Sequence, residues 1–287
     1  MKKSTDNSAQ STDNANNCSL LSDLCSLPPV AEMMRGIGLT PKKSLGQNFL
    51  FDLNLTGKIA RSVPDIEKST VVEIGPGPGG LTRSLLTAGA ARVIAIEKDK
   101  TTAPILDRIA AASDGRLEVI YGDALKIKIS DIVAGNYAIC ANLPYNIGTE
   151  LLIRWLHDLN GISSMTLMFQ REVAERIVAR VGDAHYGRLA VLTALVADAK
   201  ILFNVPNTAF VPQPKVQSAV VQIIPKVKNR IPQIEKVEQL TARLFGQRRK
   251  MIRGIMPDID WAQFGLSGTM RAEELSPSTF AEIAATL

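Results

Sequence analysis

The chain has 287 residues, 46% of them hydrophobic and 21% charged, which is enough apolar content for a sizeable core and excludes global disorder. Its formal net charge of +5 suits a polyanionic partner without requiring one. Three cysteines with no CxxC pair (Cys18, Cys25, Cys140) and two isolated histidines (His157, His185) argue against a disulfide framework, a metal centre or histidine-based catalysis.

Residues 1–19 are rich in Ser, Thr, Asn, Asp and Gln, and a disordered polar tail is expected over residues 1–27. Met1-Lys2-Lys3 leads into no apolar signal core, and no stretch approaches the roughly 18 apolar residues of a membrane span. A cytoplasmic protein with no membrane partner is expected. Pro28-Pro29 opens a short helix over Val30-Ala31-Glu32-Met33-Met34-Arg35, stopped near Gly36 or Gly38.

From Thr70 to Ile224 short β-branched runs alternate with helix-length segments. The predicted strands are Thr70–Ile74, Arg92–Ile96, Leu117–Tyr121, Tyr137–Ala141, Met165–Phe169, Lys200–Asn204 and Ala219–Ile224, with helices such as Leu81–Ala88 and Glu172–Arg180 between them. Such alternation implies right-handed βαβ units and a mostly parallel sheet, an α/β, Rossmann-like fold. A short proline-containing link joins the last two strands, so these should pair antiparallel at one edge. After Pro225 the strand pattern stops, and Gln233–Gly246, Arg248–Ile255 and Thr279–Leu287 read as helices. The expected division is therefore a domain over 28–224 and a small helical domain over 225–287.

Thr70-Val-Val-Glu-Ile-Gly75-Pro-Gly77-Pro-Gly79-Gly80 runs from a strand through a glycine loop into a helix. Glycines there let the backbone turn sharply and approach a ligand. The segment matches GxGxxG, so a dinucleotide enzyme competes with other nucleotide-binding readings, and a plain strand-to-helix turn is the bland alternative. Glu97 closes the next strand about 20 residues beyond the first glycine, where a carboxylate can accept from both hydroxyls of a ribose. Asp123, in Tyr121-Gly122-Asp123-Ala124, follows the third strand and can accept an adenine amino group or merely serve as a helix N-cap.

Cys140-Ala141-Asn142-Leu143-Pro144-Tyr145-Asn146-Ile147 follows the fourth strand, at the mouth of the same crevice. An aromatic amine such as adenine N6 is a poor nucleophile, because its lone pair is delocalised into the ring. Two acceptors, the Asn142 side-chain oxygen and the Leu143 carbonyl, can hold its hydrogens and aim that lone pair at an electrophile. Pro144 fixes the turn that presents the carbonyl, and Tyr145 can stack on a base. A simple proline turn is the competing reading.

These motifs together resemble the ribosomal RNA adenine dimethyltransferase family, and within it the small-subunit branch, from about Pro28 to the C-terminus. Ser44-Leu45-Gly46-Gln47-Asn48-Phe49-Leu50 resembles the family's entry motif, which implicates Asn48 and Leu50 in cofactor contact. The resemblance makes Gly75, Gly77, Glu97, Asp123 and Asn142 further contacts to S-adenosylmethionine. It makes Asn142, Leu143, Pro144 and Tyr145 the catalytic tetrad. Phe169-Gln170-Arg171-Glu172-Val173-Ala174 is similar to the family's segment after the fifth strand. Phe210-Val-Pro-Gln-Pro214-Lys-Val216-Gln-Ser218 is similar to the loop whose phenylalanine covers the target base, although Phe210 by itself reads as a core anchor. The implied fold is a seven-stranded methyltransferase sheet with a helical C-terminal domain. The implied substrate is a pair of adjacent adenines in a 3′-terminal hairpin loop of 16S rRNA within the small ribosomal subunit, each dimethylated at N6 by a monomeric enzyme. A loop adenine is cheaper to flip than a paired one.

Thr241-Ala-Arg243-Leu-Phe-Gly-Gln-Arg248-Arg249-Lys250-Met-Ile-Arg253 holds five basic residues and no acid. Arg248, Arg249, Lys250 and Arg253 are expected to hold RNA phosphates, against the alternative of a solvated helical face. Competing functions are the large-subunit dimethyltransferase of macrolide resistance, a non-catalytic ribosome-assembly factor and an NAD oxidoreductase.

Overall fold

A computed structural model describes residues 23–226 and 233–287. In chain order its principal elements are α1 (Val30–Gly36), β1 (Phe49–Leu50), α2 (Leu53–Ala60), β2 (Thr70–Ile74), α3 (Gly80–Thr87), β3 (Arg92–Glu97), α4 (Ala103–Ala111), β4 (Leu117–Tyr121) and β5 (Tyr137–Asn142). There follow α5 (Gly148–His157), β6 (Ile162–Gln170), α6 (Arg171–Val178), α7 (Arg188–Val196), β7 (Ala197–Val205), β8 (Phe210–Val211), β9 (Ser218–Pro225), α8 (Ile234–Phe245), α9 (Ile252–Ile255) and α10 (Pro277–Thr286). All seven predicted strands are present. The chain forms two compact units, one running to Asn142 and taking back Thr208–Pro214, the other made of Leu143–Asn207 and Lys215–Leu287.

In the first unit β2 lies between β3 and β5, with β4 outside β3, and all four run parallel. Val71, Val72, Val93, Ile94, Ala138 and Ile139 are fully buried, as strands covered on both faces must be. That demand explains why these strands read as unbroken apolar runs rather than alternating ones. Consecutive strands step away from β2 on one side, while β5 occupies the other. The strand order therefore reverses at β2, and open α/β sheets bind ligands at the carboxyl ends beside such a reversal. Helix α2 is capped by Asp52, whose side chain accepts from the Asn54 and Leu55 N–H groups, and α2 is bonded to α3 through buried Thr56 and Ser84 hydroxyls 2.7 Å apart.

Part of the expected tail is folded. Residues 1–22 lie outside the described residues, but 23–26 form a helical turn with Leu24 fully buried. Composition missed this because the anchor is remote. The Arg83 guanidinium on α3 donates to the carbonyls of Pro28 (2.7 Å), Leu24 (2.9 Å) and Leu27 (3.2 Å).

In the second unit β9 lies between β6 and β7, antiparallel to both, with a bulge in β7 between Ile201 and Phe203. The expected antiparallel pairing of the last two long strands is thus present. Described residues beyond Pro225 contain helices and turns but no strand. Tyr186, Phe245 and Phe280 form an aromatic cluster with ring centroids 5.9 and 5.6 Å apart, and the Tyr186 hydroxyl donates to the Leu275 carbonyl at 2.8 Å.

The helix expected over Arg248–Ile255 is corrected to a single turn at Ile252–Ile255. The Ile252 and Arg253 N–H groups donate across the chain to the carbonyls of Met270 (2.8 Å) and Gly268 (3.1 Å), bonds that replace those of a continuing helix.

Candidate active site

Within the first unit, four neighbouring parallel strands deliver four candidate groups at their carboxyl ends. The glycine loop leaves β2, Glu97 closes β3, Asp123 follows β4, and Asn142 closes β5. Gly75 and Gly77 both adopt left-handed backbone, at φ 66° and 56°. The Gly75 N–H donates to the Ile96 carbonyl at 2.9 Å, and the Gly77 N–H donates to Glu97 Oε2 at 2.8 Å. The loop is thereby tied to the end of β3.

The missing side chains also serve the protein itself. A Cβ on Gly77 would lie 2.8 Å from the Phe49 ring, and one on Gly80 would lie 2.5 Å from the Leu50 carbonyl oxygen. The short β1 strand therefore sits directly on the glycine loop. Leu50 is buried and pairs with Phe210, Phe49 pairs with Val211, and Phe210 is itself only 2% exposed. The Phe210 ring is an anchor of this two-stranded ladder, as its residue-level reading suggested.

Glu97 is buried, and its Oε1 accepts from the Asp99 N–H at 2.6 Å. Burial pushes its carboxyl above the ordinary range, while the backbone donors pull it back. A carboxylate offers about four lone-pair positions, and the backbone donors of Gly77, Asp99 and Lys98 leave room for a further hydroxyl donor. A ribose hydroxyl fits that demand. Asp123 Oδ1 accepts from the Leu125 N–H at 3.1 Å, closing a local turn rather than capping a helix. Its Oδ2 accepts from Lys98 Nζ at 2.8 Å, and this ammonium lowers the carboxyl's pKa.

Beneath the loop lies Glu73, which the sequence reading quoted only as part of the motif. It is buried, accepts from the Thr82 hydroxyl at 2.6 Å, and is pushed by burial to about 8. Near neutral pH it is an uncharged acid linking β2 to the first turn of α3.

Asn142 Nδ2 donates to the Asn48 carbonyl at 3.0 Å. The opposite amide orientation would set two oxygens against each other, so the bond fixes which end of the side chain is the acceptor. Asn48 in turn donates from Nδ2 to the Gly46 carbonyl at 3.3 Å. Upstream, Lys42 Nζ (2.7 Å) and Gln47 Nε2 (3.1 Å) both donate to Asp99, and Gln47 Oε1 accepts from the Lys42 N–H at 2.8 Å. Burial alone would raise the Asp99 carboxyl, but these donors and Thr101 bring it down to about 2. Lys42, Gln47 and Asp99 were not singled out from the sequence. The one available signal was the position of Gln47 beside Asn48 and of Asp99 beside Glu97.

In the second unit, Leu143 is 2% exposed and its side chain lies against Gly148, whose added Cβ would stand 3.3 Å away. This buried anchor orients the Leu143 peptide. The Pro144 carbonyl closes the turn by accepting from the Ile147 and Gly148 N–H groups at 3.1 and 3.0 Å. Tyr145 is half-buried, and its hydroxyl lies 2.6 Å from that of Ser218. Of the basic run, Arg248 is paired with Glu273 and donates to the Ala184 carbonyl at 3.1 Å, and Arg243 donates to the Ile255 carbonyl at 3.2 Å. Arg249, Lys250 and Arg253 are exposed.

Comparison with known proteins accords with this arrangement. The family model "Ribosomal RNA adenine dimethylase" matches residues 38–287. A Ribosomal RNA small subunit methyltransferase A of Chelativorans sp. is 49% identical, covering 90% of this chain and 97% of its own. One from Cereibacter sphaeroides is 51% identical over 90% of this chain and 96% of its own. Among solved structures, a dimethyladenosine transferase from Plasmodium falciparum is similar with a TM-score of 0.70 and 26% identity, over 82% of this chain and 95% of that one. The 23S rRNA methyltransferase ErmE shares the fold at a TM-score of 0.64 and 23% identity, over 84% of this chain and 99% of that one. An α/β methyltransferase fold extending over most of its length, with these motifs at the strand ends, means that the chain belongs to the ribosomal RNA adenine dimethylase family.

Proposed function

We propose that the chain dimethylates N6 of two adjacent adenines in a 3′-terminal hairpin loop of small-subunit (16S) rRNA. S-adenosylmethionine, when bound, supplies an activated methyl group. Glu97 would hold its ribose, Asp123 its adenine, and Asn48, Leu50, Gly75 and Gly77 the face of the pocket along β1 and the glycine loop.

The chain's own chemistry is one of positioning. Asn142 Oδ1 and the Leu143 carbonyl accept the two hydrogens of the target amine and draw its nitrogen toward a pyramidal geometry. The lone pair then points out of the ring plane, and no strong base is required. In each transfer the nitrogen would take the methyl group as the carbon–sulfur bond breaks and would give up one proton to water. After one methylation a single N–H remains, so one acceptor suffices for the second transfer. Tyr145 stacks on the extruded base, while the buried Phe210 ring supports the β1 strand that carries Leu50. Arg249, Lys250 and Arg253, with Arg248 beside them, hold RNA phosphates.

The observation that carries this reading is the delivery of the glycine loop, Glu97, Asp123 and Asn142 by four neighbouring strand ends. The reading of small-subunit rather than large-subunit RNA as substrate is supported by relatives about half identical over nine-tenths of the chain. No helix among the described residues is long and apolar enough to cross a membrane. With small-subunit rRNA as its substrate, we place the protein in the cytoplasm, as a monomer.

The decisive experiment is transfer of tritiated methyl groups to small subunits from a strain lacking the modification, followed by nucleoside analysis. Label in N6,N6-dimethyladenosine of the small-subunit RNA is expected. Label confined to large-subunit RNA, or no dimethyladenosine at all, would overturn the assignment.

A further inference from the structure

The contacts among Asp99, Gln47, Asn48 and Asn142 join two parts of the site that are far apart in sequence. Asp99 follows the ribose acid, and its N–H is bonded to Glu97 Oε1. Its carboxylate grips Lys42 and Gln47, at the start of the segment leading into β1. Asn48, the residue after Gln47, offers its carbonyl to Asn142 at 3.0 Å. We propose that residues 42–50 act as a strap, clamped by Asp99 at one end, whose Asn48 carbonyl holds the Asn142 amide so that Oδ1 is presented to the target amine.

Three physical points carry the inference. A terminal amide rotates easily about a bond between tetrahedral and planar carbons, so Asn142 by itself has no preference for presenting oxygen over nitrogen. A carbonyl acceptor on one side removes that ambiguity, because only the NH₂ end can face it. The carbonyl is useful only if its own segment is fixed, and here the fixing bonds come from a charged carboxylate that is nearly buried, the kind of hydrogen bond that is stronger than a neutral one. The packing of Phe49 on Gly77 and of the Leu50 carbonyl on Gly80 holds the far end of the strap. Asp99 and Gln47 are thus positioning residues for Asn142, and Glu97 and Asn142 share one support.

The inference rests on Asn142 being the acceptor for the amine, and the test separates the two. Asp99→Ala and Gln47→Ala are compared with Asn142→Ala in methyl transfer to undermethylated small subunits. Both strap variants should lower kcat by about tenfold or more while KM for the subunit changes little, as expected when an aligned group is misplaced. Asp99→Asn, which keeps an oxygen for Gln47 Nε2, should recover part of the loss. The nitrogen-15 spectrum of the Asn142 side-chain amide, identified by its loss in Asn142→Asp, should show one hydrogen-bonded proton in the parent protein. That signature should vanish in both strap variants. If Asn142→Ala is inactive while the strap variants keep both kcat and the shifted amide signal, the strap is refuted and the catalytic reading stands. If Asn142→Ala methylates normally, the catalytic reading itself falls and the strap with it.

Discussion

Tyr145 and Ser218 meet through their hydroxyls, 2.6 Å apart, although 73 residues separate them in sequence. Ser218 is fully buried at the start of β9, opposite Gln170 on β6. Burial raises the Tyr145 phenol above its usual pKa, so it remains a neutral hydrogen-bonding group. Held by its far end, the ring keeps a fixed plane.

Removing either hydroxyl breaks the same bond. Tyr145→Phe and Ser218→Ala should each slow single-turnover methyl transfer by about fivefold, equivalent to roughly 1 kcal/mol. The double variant should be no slower than the slower single one. Tyr145→Ala, which removes the ring itself, should cost about 1–3 kcal/mol. Additive losses in the double variant would show that the two hydroxyls act separately.

The glycine loop supplies a second prediction. Gly77→Ala meets both a left-handed backbone and the Phe49 ring, whereas Gly115→Ala, at φ 72°, meets open space. Both should lose about 1–2 kcal/mol in urea denaturation from the backbone conformation. Gly77→Ala should lose more, and it alone should weaken S-adenosylmethionine binding in calorimetric titration. Equal binding by the two variants would count against the loop as the cofactor cradle.

Glu73 makes stability depend on pH. Its carboxyl is raised from 4.5 to about 8 in the folded chain, so between those values the unfolded chain is ionised while the folded chain holds the proton. Its contribution is fully present below about 4.5 and is lost as pH rises through about 8. Glu97 is shifted in the same direction. Glu73→Gln keeps an oxygen for the Thr82 hydroxyl and removes the ionisation. Its urea midpoint should fall less steeply than that of the parent between pH 5 and 8, measured at constant ionic strength. Parallel curves would refute an uncharged Glu73.

The basic run should divide by function. Arg248→Ala removes the bonds to Glu273 and the Ala184 carbonyl and should lower stability by about 1 kcal/mol. Arg249→Glu and Lys250→Glu should leave the melting temperature unchanged, weaken binding to small subunits, and reduce the salt slope by about one per lost phosphate contact. An unaltered slope would remove these residues from the RNA interface.

How far the sequence is legible depends on whether a feature is local. The seven strands were readable because burial on both faces forces unbroken β-branched runs such as Thr70–Ile74. The ends of β6 and β7 were not, because Ile162-Ser163-Ser164 and Ala197-Asp198-Ala199 carry polar residues within the strands. The β1–β8 ladder was invisible, since two residues have no period and owe their strand character to a partner 162 residues away, Phe49 against Val211. Glu97, Asp123 and Asn142 were found because each ends or follows a predicted strand. The strap was not, because its bonds join Gln47 to Asp99 and Asn142 to Asn48, 52 and 94 positions apart. The ion pair of Arg248 was not legible, because its carboxylate partner, Glu273, lies 25 residues downstream.

The guanidinium of Arg83 gathers three carbonyls from the segment between Leu24 and Pro28, ahead of the region that the family model matches from residue 38. A shortened chain beginning at that match would leave a nearly buried cation on α3 without its acceptors. The folded N-terminal boundary among the described residues therefore lies upstream of the one that the family model marks, and trimming or fusion should respect residue 23 rather than residue 38.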